Sequence, residues 1–243
     1  MKLISLNIWG GIVKEPLLNF IYQHKDTDIF CLQEVYHNAE NKISTDDETA
    51  SLNILNEIQE ILHSHKAFFR PVVDGIFGIA GFIKKSITII DENEIIIHHN
   101  LEYKGRGPTH SRNMQWFKLS CNNKTITILN VHGLWNGKGK TDTPERLVQS
   151  CKIKQFLINI EGPKLLCGDL NLNPSTESLK IISSGMDDHI ELNDITSTRS
   201  SLYTKDEKFA DYIFTSPDIK VNDFKVLPDE ISDHLPLMID FEI

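Results

Sequence analysis

The sequence predicts an α/β protein in which two largely antiparallel or mixed β-sheets pack together with helices outside. Three observations predict it. Many strand-like runs follow one another directly, whereas purely parallel winding needs a crossover after every strand. Other strand runs alternate with amphipathic helical stretches. Hydrophobic residues make up 40% of the 243 positions, ample for a sizeable core.

Taken in order, Lys2–Ile8 alternates loosely and reads as a strand. Pro16 opens a helical pattern with Leu17, Phe20 and Ile21 on one face. Asp28–Gln33 is a short apolar strand ending at Glu34. A second helix is expected from about Glu48 to His63, striped by Leu52, Leu55, Ile58 and Leu62. Strand-like runs follow at Ala67–Val73, Ile76–Lys84, Ser86–Ile90 and Glu94–His98. Asn113–Ser120 and Lys124–Val131 flank Cys121-Asn122-Asn123, a hairpin signature. Thr143 as N-cap and Pro144 at the first helical position start a helix that runs to about Ile160. Lys164–Gly168 is a strand and Ser178–Ser184 a short helix. Phe209–Thr215, Lys220–Leu227 and Leu235–Phe241 close the chain as strands.

No linker, low-complexity run or fixed-period repeat interrupts residues 1–243, and a single domain is expected. The formal charge of −9 argues against tight non-specific DNA binding. A bound cation or a local basic patch reverses the local sign, so the argument is a mild one. Cys31, Cys121, Cys151 and Cys167 lack metal-type spacing. Cys31 and Cys167 sit in apolar runs and read as buried free thiols, which fits a reducing compartment. The apolar stretch at the N-terminus is too short and interrupted for a signal peptide. No run approaches the roughly 20 apolar residues of a membrane span. A soluble, cytoplasmic monomer is expected.

Polar residues with chemical potential recur at strand ends: Asn7, Glu34, His132, Asp169, Asn171, Asp211, Asp233 and His234. Each alone has a plain alternative, since Asp and Asn commonly cap turns and a lone His is more often structural. Together they matter more, because strand ends in a packed sheet converge on one edge. Asn7, Glu34 and Asp233 offer hard oxygen donors that suit Mg²⁺ or Mn²⁺ rather than zinc. There is no zinc-type Cys/His cluster, no phosphate-binding glycine loop and no G-x-S-x-G. Asn136-Gly137-Lys138-Gly139-Lys140 has the wrong spacing for such a loop and reads as flexible. The inventory favours metal-assisted hydrolysis of an anionic ester.

Six blocks carry a resemblance: "SLNIWG" (5–10), "LQEV" (32–35), "NVHG" (130–133), "GDLN" (168–171), "ADYIF" (210–214) and "SDHLP" (232–236). In this order they resemble the endonuclease/exonuclease/phosphatase superfamily, which includes DNase I, abasic-site endonucleases, neutral sphingomyelinases and inositol polyphosphate 5-phosphatases. The resemblance implies a four-layer αββα sandwich and divalent-metal-dependent phosphoester cleavage. It implies Glu34 as the principal Mg²⁺ ligand, with Asn7 and Asp233 completing or supporting the metal shell. Asp169 is implied as the residue that activates the attacking water, in line with phosphorus. Asn171 would contact a non-bridging oxygen or the nucleophile. His234 would stabilise transition-state charge. Asp211 would fix the tautomer of His234 and favour its imidazolium. His132 would be a second phosphate-binding or acid group. Asp169 and Asn171 at i and i+2 of an extended segment would face the same way.

The superfamily does not fix the substrate. Lys104–Arg112 is the most basic local stretch and reads either as a phosphate-steering loop, with Arg112 the best contact, or as a solvated loop. Trp116 reads as a sheet-face residue. Trp9 and Trp135 follow motif residues, and simple packing ranks above a place at the site. The favoured substrate is a phosphorylated small molecule or lipid headgroup. The alternative is nucleic acid, cut by a DNA endonuclease or exonuclease or by a phosphotyrosyl-DNA phosphodiesterase. A toxin-like secreted nuclease would be expected to show a leader or paired cysteines. A non-catalytic binding module that keeps the fold ranks last, because all eight site residues are present.

Overall fold

Period-2 alternation on strands buried from both sides organises the molecule, seen here as a computed structural model that describes residues 1–43, 50–103, 109–121 and 124–243. The elements are β1 (Lys2–Asn7), a 3₁₀ turn (Trp9–Gly11), α1 (Lys14–Gln23), β2 (Ile29–Tyr36), α2 (Ile54–Ile61), β3 (His65–Val73), β4 (Phe77–Lys84), β5 (Thr88–His98), β6 (Arg112–Cys121) and β7 (Lys124–His132). Next come α3 (Pro144–Asn159), β8 (Lys164–Asp169), α4 (Glu177–Ser183), β9 (Asp187–Asp188), α5 (His189–Leu192), β10 (Asp211–Thr215), β11 (Lys220–Val226) and β12 (Leu237–Glu242).

One six-stranded sheet has the order β11-β12-β1-β2-β4-β3, and the other β5-β6-β7-β8-β10-β9. Both are mixed. The pairs β1–β2 and β7–β8 are parallel and the rest antiparallel. On β1 and β2, Ile4, Leu6, Phe30 and Leu32 pack with Leu17, Phe20 and Ile21 of α1 and Ile54, Leu55 and Ile58 of α2. Leu3, Ile29 and Cys31 face the other way, into a core shared with Met114, Phe117 and Leu165 of the second sheet. Ile153 and Leu157 of α3 and Leu179 and Ile182 of α4 join that core. Helix, sheet, sheet, helix is the expected four-layer sandwich.

The rows facing between the sheets turn polar toward one end: Leu3-Ser5-Asn7 on β1, Ile29-Cys31-Gln33 on β2, and Leu165-Cys167-Asp169 on β8. The sheets are tied by buried amides as well as by apolar contact. Gln33 Nε2 donates to Asn130 Oδ1 at 2.7 Å. Asn130 Nδ2 donates to the carbonyls of Leu32 at 3.3 Å and Ala80 at 3.2 Å. Gln115 Nε2 donates to Phe68 O at 3.0 Å and Asn113 Nδ2 to Arg70 O at 3.1 Å.

Several sequence expectations need correction. Ser86–Ile90 and Glu94–His98 are one strand, β5, because it is an edge strand whose polar middle stays solvated while it pairs with β6. The helix expected over 48–63 is described only as α2, and residues 48 and 49 lie outside the described residues. So do Asn122 and Asn123 of the hairpin turn and residues 104–108 of the basic stretch. β9, α5 and the 3₁₀ turn were not anticipated. Thr143 does cap α3, accepting from Arg146 N, with Pro144 at its start. Cys31 and Cys167 are buried free thiols as expected, and a hydrogen bond with Cys167 together with burial pushes the Cys31 thiol up. Trp116 is a half-buried sheet-face residue beside Phe156. Among the described residues no helix is long and apolar enough to cross a membrane.

Gly168 has φ +134°, and a Cβ there would stand 2.0 Å from Val131 O on the paired strand β7. Both the backbone and the neighbouring carbonyl exclude a side chain. Gly168→Ala should cost about 3 kcal/mol or more, or about 6–12 °C of melting midpoint in a chain this long. Thermal denaturation followed by circular dichroism checks this, and a change of about a degree would contradict it.

Candidate active site

Strand register builds the centre of the site. His132, Asp169 and Asp211 lie side by side across β7, β8 and β10. Asn7 closes β1 on the facing sheet, and its Nδ2 donates to Asp169 Oδ2 at 3.0 Å and to Glu34 Oε1 at 3.0 Å. A cleft of about 670 Å³ opens above them. Glu34, Arg112, His132, Asp169, Asn171, Asp233 and His234 line it, with Asn7 and Asp211 just behind. All nine residues singled out from the sequence therefore meet at one place.

Asp169 is buried and held by three N–H donors. Besides Asn7, Asn171 N donates to Oδ1 at 2.8 Å and Asn171 Nδ2 to Oδ2 at 3.3 Å. The first of these is an Asx turn, and Asn171 has φ +54°. The same-face argument from an extended segment is thus corrected, since a tight turn carries Asn171 back beside Asp169.

Glu34 does not end its strand. It sits inside β2 at a register shift between Leu32 and Val35, with φ +59°. A bulge of this kind re-aims a side chain and stores strain, as functional positions often do. Burial raises its carboxyl to about 7, helped by the negative Asp233 and Asp169 and opposed by the Asn7 hydrogen bond and Arg112.

His234 Nδ1 bonds both oxygens of Asp211, at 2.7 Å and 2.9 Å. Thr198 Oγ1 donates to the same Asp211 Oδ2 at 3.1 Å and helps hold the carboxylate in place. Ser232 Oγ donates to Asn7 O at 2.7 Å and accepts from His234 N at 3.2 Å, anchoring the 232–236 segment to β1. Burial, reinforced by Arg199, lowers the His234 imidazole to about 3 against the pull of Asp169 and Asp233. The free site thus holds His234 neutral rather than as the expected imidazolium. Asp211, raised by burial to about 6, accepts its Nδ1–H.

His132 Nε2 lies 3.7 Å from Glu34 Oε1 and 3.8 Å from Asp169 Oδ2. Burial and Arg112 hold it well below an ordinary histidine. Arg112 is no part of a solvated loop. It opens β6, is buried, and faces Glu34 and Asp169, while burial lowers its guanidinium to about 10.

Sequence reasoning missed part of the cleft. Trp9 and Trp135, ranked as packing residues, both line it. So do His110, Lys140, Arg199, Tyr203 and Lys205. Lys140 belongs to the stretch read as a flexible loop, yet its side chain is buried. Arg199 Nη1 pairs with Asp233 Oδ2 at 3.0 Å. Only Asp233 announced this pair in the sequence.

The donors suit a hard cation. Glu34, His132 and Asp169 offer ligand atoms within 4.8 Å of one another, as do Asp169, Asp211 and His234. The geometry distinguishes the three residues expected as ligands. Glu34 presents a carboxylate to the cleft. Asn7 has its Oδ1 taken by Trp9 N at 3.0 Å, and Asp233 shares its charge with Arg199.

A fold of two mixed sheets closed over such a carboxylate and imidazole centre is one known in phosphoester hydrolases. The profile of the Endonuclease/Exonuclease/phosphatase family matches residues 4–234, and the chain belongs to that family. No curated protein matches it significantly. Among solved structures, a Bacteroides thetaiotaomicron mannosyl-6-phosphatase superposes with TM-score 0.76 at 19% identity, covering 100% of both chains. The human Nocturnin catalytic domain with bound sulfate gives TM-score 0.73 at 21% identity, over 100% of this chain and 93% of that one. A humanized TDP2 of D. rerio gives 0.72 at 15% identity, over 100% and 99%. At these identities the likeness is one of fold.

Proposed function

We propose that the chain is a divalent-metal-dependent phosphoesterase that hydrolyses a phosphomonoester or phosphodiester by in-line attack of a water activated by Asp169. The observation that carries this reading is the meeting of Asp169, Glu34, His132 and His234 in one cleft. The three N–H donors on Asp169 aim its remaining lone pairs and keep it from turning away from a water. The water oxygen bonds to phosphorus as its proton passes to Asp169. The ester P–O bond breaks, the leaving alkoxide takes a proton from solvent to become the alcohol, and Asp169 returns its proton to solvent. Asn171 contacts a non-bridging oxygen or the nucleophile. Arg112 faces the phosphoryl group and neutralises its charge, and His132 serves as a second phosphate-binding or acid group. His234, oriented by Asp211, stabilises the transition-state charge from the other side once it takes up a proton. Glu34 would hold Mg²⁺ or Mn²⁺, with Asn7 and Asp233 supporting the shell. Such a cation supplies charge neutralisation at the phosphoryl oxygens and the leaving group.

The formal charge of −9 favours a phosphorylated small molecule or lipid headgroup over nucleic acid. Core packing shared by both sheets supports a single domain over residues 1–243. Buried free thiols support a reducing, cytoplasmic setting.

The test is a substrate panel with Mg²⁺ or Mn²⁺: sugar phosphates, phosphoinositides, sphingomyelin, plasmid and abasic DNA, and 5′-phosphotyrosyl DNA. Hydrolysis that a chelator removes is expected. Turnover of DNA alone would move the reading to a nuclease, and no turnover at all would end it.

A separate expectation concerns metal and pH. With Glu34 raised from 4.5 to about 7, the folded protein binds more protons than the unfolded chain between those values. Stability therefore falls as pH rises through that window. A cation takes the place of the proton, so Mg²⁺ should raise the melting midpoint more at about pH 8 than at about pH 6. Differential scanning fluorimetry reads the difference, and equal stabilisation at both values would count against Glu34 as the ligand.

A further inference from the structure

One wall of the cleft carries three cationic side chains that the hydrolytic steps above do not use: Lys140, Arg199 and Lys205. Two have partners. Arg199 pairs with Asp233 and lies 4.0 Å from the Tyr203 ring centroid. Lys205 Nζ sits 4.9 Å from the Trp135 centroid.

Lys140 differs. It is 1% exposed, and its Nζ has no hydrogen-bond partner among the described residues. The Tyr203 centroid is 5.6 Å away, at the outer edge of a cation–π contact. An ammonium has three donors to satisfy, and burying one uncompensated is costly. The backbone nevertheless fixes it there, because Asn173 N, just beyond the Asp169–Asn171 turn, donates to Lys140 O at 2.9 Å. Burial brings the amine down to about 8, so it is still largely protonated at neutral pH.

The charges divide across Asp169. Arg112 is coupled to Glu34 and Asp169, whereas Lys140 is coupled to Asp169, Asp211 and Glu207. One cation serves the Glu34 side and another the opposite side. Lys140 and Arg199 both stand over Tyr203, and they repel each other until an anion joins them.

We propose that Lys140 and Arg199, flanking the Tyr203 ring, form a second anion subsite beside the scissile phosphate. The substrate then carries a second phosphate close to the one that is cleaved. This rests on the phosphoesterase reading for the first phosphate only. The second could come from a small diphosphate or from the next phosphate of a nucleic-acid backbone.

Calorimetric titration of the full chain, at fixed free Mg²⁺, tests it with two probes. One is inorganic phosphate. The other is methylenediphosphonate, whose P–C–P bridge resists hydrolysis. Wild type should bind the diphosphonate about 10- to 100-fold more tightly than phosphate, the range expected for an added charge-assisted contact. Lys140→Met should bring that preference to within about twofold of parity while phosphate affinity changes little. Lys140→Arg should keep most of the preference, which separates lost charge from damaged folding.

No preference in wild type, or equal weakening of both probes in Lys140→Met, overturns the subsite. Calorimetry needs no turnover. A protein that hydrolyses nothing but shows Lys140-dependent preference loses the enzymatic reading and keeps the subsite. A 5′-phosphorylated trinucleotide is the third probe. Lys140-dependent binding tighter than the diphosphonate supports a second phosphate from a nucleic-acid backbone, and weaker binding supports a small diphosphate.

Discussion

Asp169→Asn lowers kcat by about a thousandfold while KM moves little, if the carboxylate accepts the proton of the attacking water. General-base catalysis typically contributes two to four orders of magnitude, and Asp169 is the buried carboxylate on which the hydrogen bonds of Asn7 and Asn171 converge. The amide also carries a structural cost. Both Asp169 oxygens accept from N–H groups, so an NH₂ in either position confronts a donor. About 1–3 kcal/mol of stability should go with it. Asp169→Ala removes that donor–donor conflict, though it leaves the same N–H groups without this acceptor, and so gives an independent second measure of the catalytic loss. Steady-state kinetics on the best panel substrate, paired with thermal melts, separates the two effects. Activity within tenfold of wild type in a folded Asp169→Ala protein would remove Asp169 from the base role.

Removing the imidazole in His234→Ala should cost a hundredfold or more in kcat, and so should Asp211→Asn. The combination should cost no more than the larger single loss. Groups that act as one unit lose their function together. Both Asp211 oxygens sit on Nδ1, which places the ring proton there and turns Nε2 toward the cleft, 3.7 Å from Asp169 Oδ2 and from Asp233 Oδ1. An amide at position 211 can hold the ring but removes the charge that an imidazolium needs beside it. A double-mutant cycle in kcat reads the coupling. Multiplicative losses would mean that the two residues work separately.

The centre of this site was legible in sequence because strand periodicity is a strong constraint. Rows such as Leu3-Ser5-Asn7 and Leu165-Cys167-Asp169 read as buried positions that become polar where a strand ends. Two features hid from that logic. Glu34 appeared to end a strand because a bulge is invisible to a period-2 pattern. Lys140, Arg199 and Tyr203 lie outside the strands and helices, where no period relates a residue to its neighbours, and only tertiary contact brings them to Asp169. The polar middle of β5 broke one strand into two on paper, since an edge strand can stay paired while its side chains face water. β9 and α5 are too short for any periodicity to register.

The amides between the sheets bear on precision. Glu34 and Asn7 come from one sheet, with Asp233 on the loop that leads into its strand β12, and His132, Asp169 and Asp211 come from the other. Apolar faces tolerate sliding, because dispersion has no direction. A hydrogen bond such as the one from Gln33 to Asn130, next to Glu34 in sequence and two residues before His132, holds in only one alignment. Those few bonds act as dowels that set how the two halves of the reaction centre meet. An all-apolar seam of equal volume could leave a protein that melts at the same temperature yet has lost the alignment its chemistry requires.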